Sequence, residues 1–207
     1  MTTAPELSTK SESQRFAQIA TRLAWLTVAW NVVEGVVALL AGRSAGSSAL
    51  IGFGLDSMIE VSSALVVLWQ LRSSVPEERE QQALKLIALS FFALGAWVTF
   101  SSVSTLVTQS EPDTSVVGIV LAIVSLVVMP ALAFAKRRVG RAMSSATVVA
   151  DSAQTWLCTS LSAVLLIGLV ANASLGWWWA DPVAGLVIAV VAIREGREAW
   201  RGKNCCG

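Results

Sequence analysis

Apolar residues dominate six stretches of this chain, at 16–42, 44–71, 82–108, 115–135, 144–171 and 175–193. Each is long enough to cross a hydrocarbon core, for which about 18 to 20 residues suffice. Polar or helix-breaking residues separate them: Gly42 with Arg43, residues 73–80 around Pro76, residues 109–114 around Pro112, the basic run 136–141, and residues 172–176. Every connection is short, so neighbouring helices run antiparallel and no soluble domain fits between them. The pattern predicts an all-α membrane protein of six transmembrane helices.

Composition narrows the class. Of the 207 residues 55% are hydrophobic and 14% charged, and the mean hydropathy is +0.66, which belongs to polytopic membrane proteins. All of the 15 basic residues but Arg43 fall on one side of the expected membrane, in the N-terminal segment, the second and fourth connections and the tail. Short cytoplasmic loops collect Lys and Arg, so both termini are expected to be cytoplasmic. With a net charge of +1 and no continuous basic patch, no nucleic-acid partner is implied. Residues 1–13 lack the features of a secretory signal. Trp177, Trp178 and Trp179 fall at the outer end of the sixth stretch, where indole rings prefer the headgroup region.

Within the second stretch, Asp56 and Glu60 stand one helical turn apart among apolar neighbours. A charged side chain near the bilayer centre costs roughly 2.5 to 3.5 kcal/mol on insertion scales, and two at i and i+4 share a face and repel. A bound cation or a proton compensates them most simply. A structural ion pair is the bland alternative. It fits poorly, because every Lys and Arg is expected near a membrane face, away from the pair.

A repeat supplies a second polar face. Shifting the chain by 98 positions brings Ser47 onto Ser145, Asp56 onto Gln154, Glu60 onto Cys158 and Ser62 onto Ser160. The second and fifth stretches enter from opposite sides. At 1.5 Å per residue, the four residues at the two polar pairs lie about 16 to 24 Å along their helices, near the middle of a core about 30 Å thick. If the faces meet, two carboxylates, a thiol and an amide oxygen converge, with Asp151 one turn from Gln154 as a further carboxylate. Such O and S donors suit a tetrahedral divalent ion such as zinc, and the thiol favours thiophilic metals. The chain has no histidine, which excludes imidazole ligation and His-based catalysis. Carboxylates and thiols also bind protons, so metal and protons compete for one site, and a bundle that opens it alternately to each side exchanges them.

Asn31 with Gly35 and Gly42, then Ser48-Ala-Leu followed by Asp56-Ser-Met-Ile-Glu60, then Ala150-Asp151 followed by Gln154 and Cys158, then Asp181-Pro182 with Gly185 occur in this order. In these residues the chain resembles the membrane domain of the cation diffusion facilitator superfamily. The resemblance implies a homodimeric exporter of divalent metal in the plasma or inner membrane, coupled to proton entry. Zinc is the typical metal, with cadmium, cobalt and manganese as alternatives, and no cofactor is implied beyond the transported ion. The implied site is Asp56, Glu60, Gln154 and Cys158, with Asp151 as a further candidate. The chain then divides into a polar N-terminal tail (1–14), a six-helix cation-transport domain (15–200) and a Cys-containing cytoplasmic tail (201–207).

Three features depart from that family. Gln154 and Cys158 stand where His and Asp are most common, which makes this half of the site weaker in charge and softer. The chain stops shortly after the sixth stretch, without the cytoplasmic metal-binding domain of many members, so dimerisation would fall to the membrane helices. The connection between the fourth and fifth stretches carries no His-rich run. The small vesicular zinc-efflux proteins of the superfamily also lack that domain, and it is these that the chain most resembles.

Several residues keep two readings. Cys158 alone reads as a small apolar residue as readily as a ligand, and its repeat position with Gln154 is the argument for ligation. Asp151 either ligates or guides cations and relays protons at the cytoplasmic mouth. Asn31 and Glu34 share a face of the first stretch as pathway groups or packing contacts. Asp181 before Pro182 fits a helix N-cap. Cys205 and Cys206 capture soft metal, carry a lipid, or simply end the chain, and Gly42 with Gly46 has small-xxx-small spacing. The rival function is a metal-binding membrane scaffold or sensor that moves nothing. An enzyme is not indicated, since there is no His-Glu-x-x-His, nucleophile elbow or glycine-rich phosphate loop.

Overall fold

Long apolar segments become helices here, and a few polar contacts decide where they start and stop. The computed structural model describes the backbone of residues 4–45, 48–73, 76–109, 115–175, 177 and 179–202, and the side chains of 14–44, 50–73, 79–109, 115–167 and part of 177–202. Among the described residues six helices follow one another: α1 (Ala4–Ala45), α2 (Ser48–Leu71), α3 (Pro76–Thr108), α4 (Val116–Ala142), α5 (Ala146–Leu175) and α6 (Ala180–Trp200). No strand occurs among the described residues. Among the described residues, four segments are long and apolar enough to cross a membrane: Gln14–Ser44, Leu50–Leu71, Arg79–Thr108 and Val116–Ala142.

The helices overrun most of the hydropathy breaks: α1 continues through Gly42 and Arg43 to Ala45, α3 already starts at Pro76, and α5 continues to Leu175. The basic run at 136–141 is not a loop, because Lys and Arg are good helix formers and α4 continues through them to Ala142. It stops where Ser144 takes the left-handed region at φ 52°, with Ser145 N–H donating to Gly140 O at 2.9 Å and Ser144 N–H to Arg141 O at 3.1 Å. That is a Schellman motif with serine at the position glycine usually holds. Helix α6 begins at Ala180, so Asp181 lies in its first turn and is not the N-cap. Trp179 holds that position without a side-chain bond. Pro182 is then third in the helix, where a missing N–H costs nothing.

The start of α5 is held from another helix. Glu80 on α3 accepts from the main-chain N–H of Ala146 at 2.7 Å and of Thr147 at 3.4 Å, while Ser145 Oγ accepts from Val148 N–H. A carboxylate at a helix N-terminus satisfies orphan donors and complements the helix dipole. This cap fixes the entry of α5 relative to α3, and so the register in which α5 meets the bundle.

Helix α1 packs chiefly on α2, α3 on α6, and α4 on α5, while α2 also touches α5. Glycine permits the first of these contacts: a Cβ on Gly35 would stand 3.2 Å from Gly54 O, and one on Gly54 would stand 3.1 Å from Gly35 O. The α3–α6 contact is apolar, built around Phe91, Leu94, Ile188 and Ala192. Between α1, α2, α4 and α5 the interior is polar, with Asn31, Glu34, Asp56, Glu60, Asp151 and Gln154 all buried. Large apolar side chains instead face out, Leu40 at 66% and Phe100 at 74% exposure among them. Polar inside and apolar outside is the arrangement a bilayer demands. Trp177 and Trp179 are half-exposed and stacked with ring centroids 6.0 Å apart; Trp178 lies outside the described residues.

Candidate functional site

The α2–α5 seam brings the two predicted polar faces together. On α2, Asp56, Ser57, Glu60 and Ser63 recur at helical spacing and all are buried; on α5, Asp151, Gln154, Thr155, Cys158 and Ser162 do the same. The repeat also accounts for what points away. Ser62 and Ser160 are both exposed, each donating back to the carbonyl four residues earlier, Met58 and Trp156.

Lys136 overturns one expectation. The basic run around it predicts a place at a membrane face, but Lys136 is 1% exposed. Its Nζ lies 2.8 Å from Asp151 Oδ2, 3.7 Å from Glu60 Oε1 and 2.9 Å from Thr155 Oγ1. Glu60 therefore does have a basic partner. The cause is helical phase: in a continuous α4, position 136 follows Met129, Leu132 and Ala133 onto the inward face, whereas Arg138 and Arg141 turn outward.

Around this ammonium the hydrogen bonds are well used. Thr155 Oγ1 donates to Glu60 Oε1 at 2.5 Å while accepting from Lys136, and Ser63 Oγ donates to Asp151 Oδ1 at 2.9 Å. Both oxygens of Asp151 are thus partnered inside the protein. Sequence reasoning missed Lys136, Ser63 and Thr155. The signals were there: Ser63 lies three residues after Glu60, and Thr155 four after Asp151, so each shares its helix face.

One turn away the situation reverses. Asp56 Oδ2, Glu60 Oε2 and both amide atoms of Gln154 are buried with no protein partner. No Lys or Arg reaches Asp56 within ion-pair distance among the described residues; the Cys158 thiol is its neighbour. Cys158 itself is buried and packs against Met129 and Leu132. Buried polar atoms are almost always partnered, and each orphan costs about 1 to 3 kcal/mol, so four on one seam require an explanation.

The pathway candidates on α1 adjoin the same seam. Ser57 Oγ donates to Glu34 Oε2 at 3.0 Å, and Ser125 and Ser162 form a 3.3 Å hydroxyl pair beside it. Asn31 donates to Thr27 O at 3.0 Å. Glu34 Oε1 and Asn31 Oδ1 add two more buried oxygens without a protein partner. Cys205, Cys206 and Gly46 lie outside the described residues, as does the side chain of Asp181.

Chemically, the seam offers carboxylate, amide and thiol donors in a water-poor interior, a donor set for a cation. Among the described residues no three His, Cys, Asp or Glu side chains enclose a metal position as they stand. Ligation would draw Asp56, Glu60 and Cys158 together around an ion.

These features define a membrane protein with a buried seam of carboxylate, amide and thiol groups, and the chain belongs to the cation efflux family: the profile for the cation efflux transmembrane domain matches residues 85–201. That match spans most of α3 and all of α4 to α6, and includes Lys136, Asp151, Gln154 and Cys158. The chain is similar to the cation-efflux pump FieF of Shewanella oneidensis, 27% identical over 194 residues, covering 89% of this chain and 61% of that protein. It is similar to transmembrane protein 163 of Xenopus laevis, 21% identical, with 89% and 67% covered. An uncharacterized transporter of a Synechocystis strain is 25% identical, with 89% and 63% covered. The chain thus spans about three-fifths to two-thirds of the length of these relatives. It is an integral multi-pass membrane protein of a transporter family.

Proposed function

We propose that this protein exports a divalent metal ion, zinc or a similarly thiophilic ion, in exchange for protons. It crosses the plasma or inner membrane six times with both termini cytoplasmic, works as a homodimer, and catalyses no covalent chemistry. Asp56, Glu60, Gln154 and Cys158 hold the ion between α2 and α5. Asp151 stands behind them, and Glu34 with Asn31 extends the polar path through α1.

The observation that carries this reading is the set of buried, unpartnered polar atoms on Asp56, Glu60 and Gln154. A cation supplies what these oxygens lack, and a proton on a carboxyl supplies it in turn. Family membership and the name of the Shewanella relative support efflux as the direction.

The test is metal flux in proteoliposomes under a pH gradient, comparing wild type with an Asp56→Ala/Glu60→Ala variant over zinc, cadmium, cobalt and manganese. Gradient-dependent flux in the wild type, lost in a variant that still elutes as a folded species, is the expected result. Stoichiometric binding without flux would instead make the protein a metal-binding scaffold or sensor. Absence of both binding and flux for all four ions would sink the proposal.

A further inference from the structure

The seam already contains a cation. Lys136 reaches it from α4, a helix that supplies none of the candidate ligands, and its ammonium stands between carboxylates on both ligand-bearing helices: Asp151 on α5 at 2.8 Å and Glu60 on α2 at 3.7 Å. The contact to Asp151 is the tighter one. Glu60 is held mainly through the Thr155 hydroxyl, and its second oxygen has no protein partner.

Three consequences follow from this placement. With Asp56, Glu60 and Asp151 ionised, the ammonium offsets one of three negative charges, and the remainder equals the charge of one divalent ion. A divalent ion bound by the Glu60 carboxylate would sit a few ångströms from the ammonium, where like charges in a poorly screened interior repel strongly. The ammonium also cannot diffuse away, because its helix packs along α5.

We propose that Lys136 is a tethered counter-cation of the transport site. It occupies the Glu60–Asp151 end when the metal is out, gives up Glu60 when the metal binds, and returns when the metal leaves. Its charge thereby limits affinity and speeds release, which an exporter needs at a site of several carboxylates. The inference rests on the transport site proposed above. It differs from a structural role in sign: a mere staple, once removed, weakens binding, whereas removal of a competing cation tightens it.

The experiment measures zinc binding by calorimetry on the purified full chain, and zinc flux in proteoliposomes, for wild type, Lys136→Gln, Lys136→Met and Lys136→Arg. Melting temperature and elution profile identify the folded variants. The expected result is zinc affinity about tenfold or more tighter in Lys136→Gln and Lys136→Met, with KM and kcat both lowered because release slows. Lys136→Arg, which keeps the charge, stays near wild type. Lys136→Gln keeps hydrogen-bonding capacity towards Asp151 and Thr155, so it decides the matter if Lys136→Met does not fold. A folded Lys136→Gln that binds zinc no tighter than wild type overturns the inference, as does a Lys136→Arg as tight as Lys136→Gln. If the wild type neither binds nor moves zinc, cadmium, cobalt or manganese, the transport reading fails and takes this inference with it. Wild-type flux with no tightening in the variants sinks this inference alone.

Discussion

Two parts of one polar seam handle buried carboxylates in opposite ways. At Asp151 every oxygen is used, one by Ser63 and one by Lys136, and Thr155 ties that cluster to Glu60. At Asp56, one turn along α2, one oxygen has no protein partner and no basic residue is near among the described residues. Both carboxylates are almost wholly buried, so burial does not distinguish them. Compensation does. A carboxylate neutralised by a tethered ammonium belongs to the architecture of the bundle, and in the function proposed above the one left to be neutralised from outside serves ion binding.

The comparison can be broken at its architectural side first. Asp151→Asn leaves the Lys136 ammonium with the Thr155 hydroxyl and, as its one carboxylate, Glu60 at 3.7 Å, and breaking a buried pair in this way costs about 3 to 5 kcal/mol. A clear drop in melting temperature in detergent is expected, and an unchanged one would remove Asp151 from the architectural class. Thr155→Val deletes the hydroxyl that bridges the ammonium and Glu60, at a cost of about 1 to 3 kcal/mol, and sharpens the comparison by loosening Glu60 from the paired cluster while leaving both Asp151 contacts in place. The same thermal measurement reads it, with Ser63→Ala as the matched loss on the Asp151 side. On the binding side, Cys158→Ser keeps size and hydrogen bonding but replaces a soft donor with a hard one. Preference in flux assays is expected to move by a few-fold from cadmium and zinc towards manganese and cobalt. Unchanged selectivity would return Cys158 to packing between Met129 and Leu132.

Much of this was legible in the sequence for physical reasons. Apolar runs located the helices, and the i, i+4 spacing of Asp56 with Glu60 and of Gln154 with Cys158 picked out buried stretches of α2 and α5, which meet through Glu60 with Thr155 and Ser63 with Asp151. The 98-residue shift matched buried residues with buried ones and the exposed Ser62 with the exposed Ser160, but did not tell the two kinds apart. Lys136 was hidden because hydropathy averages over a window: beside Arg137, Arg138 and Arg141 it looks like part of a cytoplasmic loop. Helical phase counted from Met129 separates it from them, yet only if α4 is known to continue, and its stop depends on a left-handed Ser144 that no residue type announces. The Glu80 cap on α5 was out of reach for a different reason. It joins helices 66 residues apart, and such a contact leaves no local pattern.

The most direct test of the distinction is to measure zinc affinity and melting temperature on the same preparation of Asp56→Asn. If Asp56 serves binding, zinc affinity falls by at least about a hundredfold while the melting temperature holds or rises, since a neutral amide is cheaper to bury than a carboxylate with no basic partner. A variant that binds zinc like the wild type, or that loses stability as Asp151→Asn is expected to, would contradict the division of the seam into a paired framework and an unpaired site.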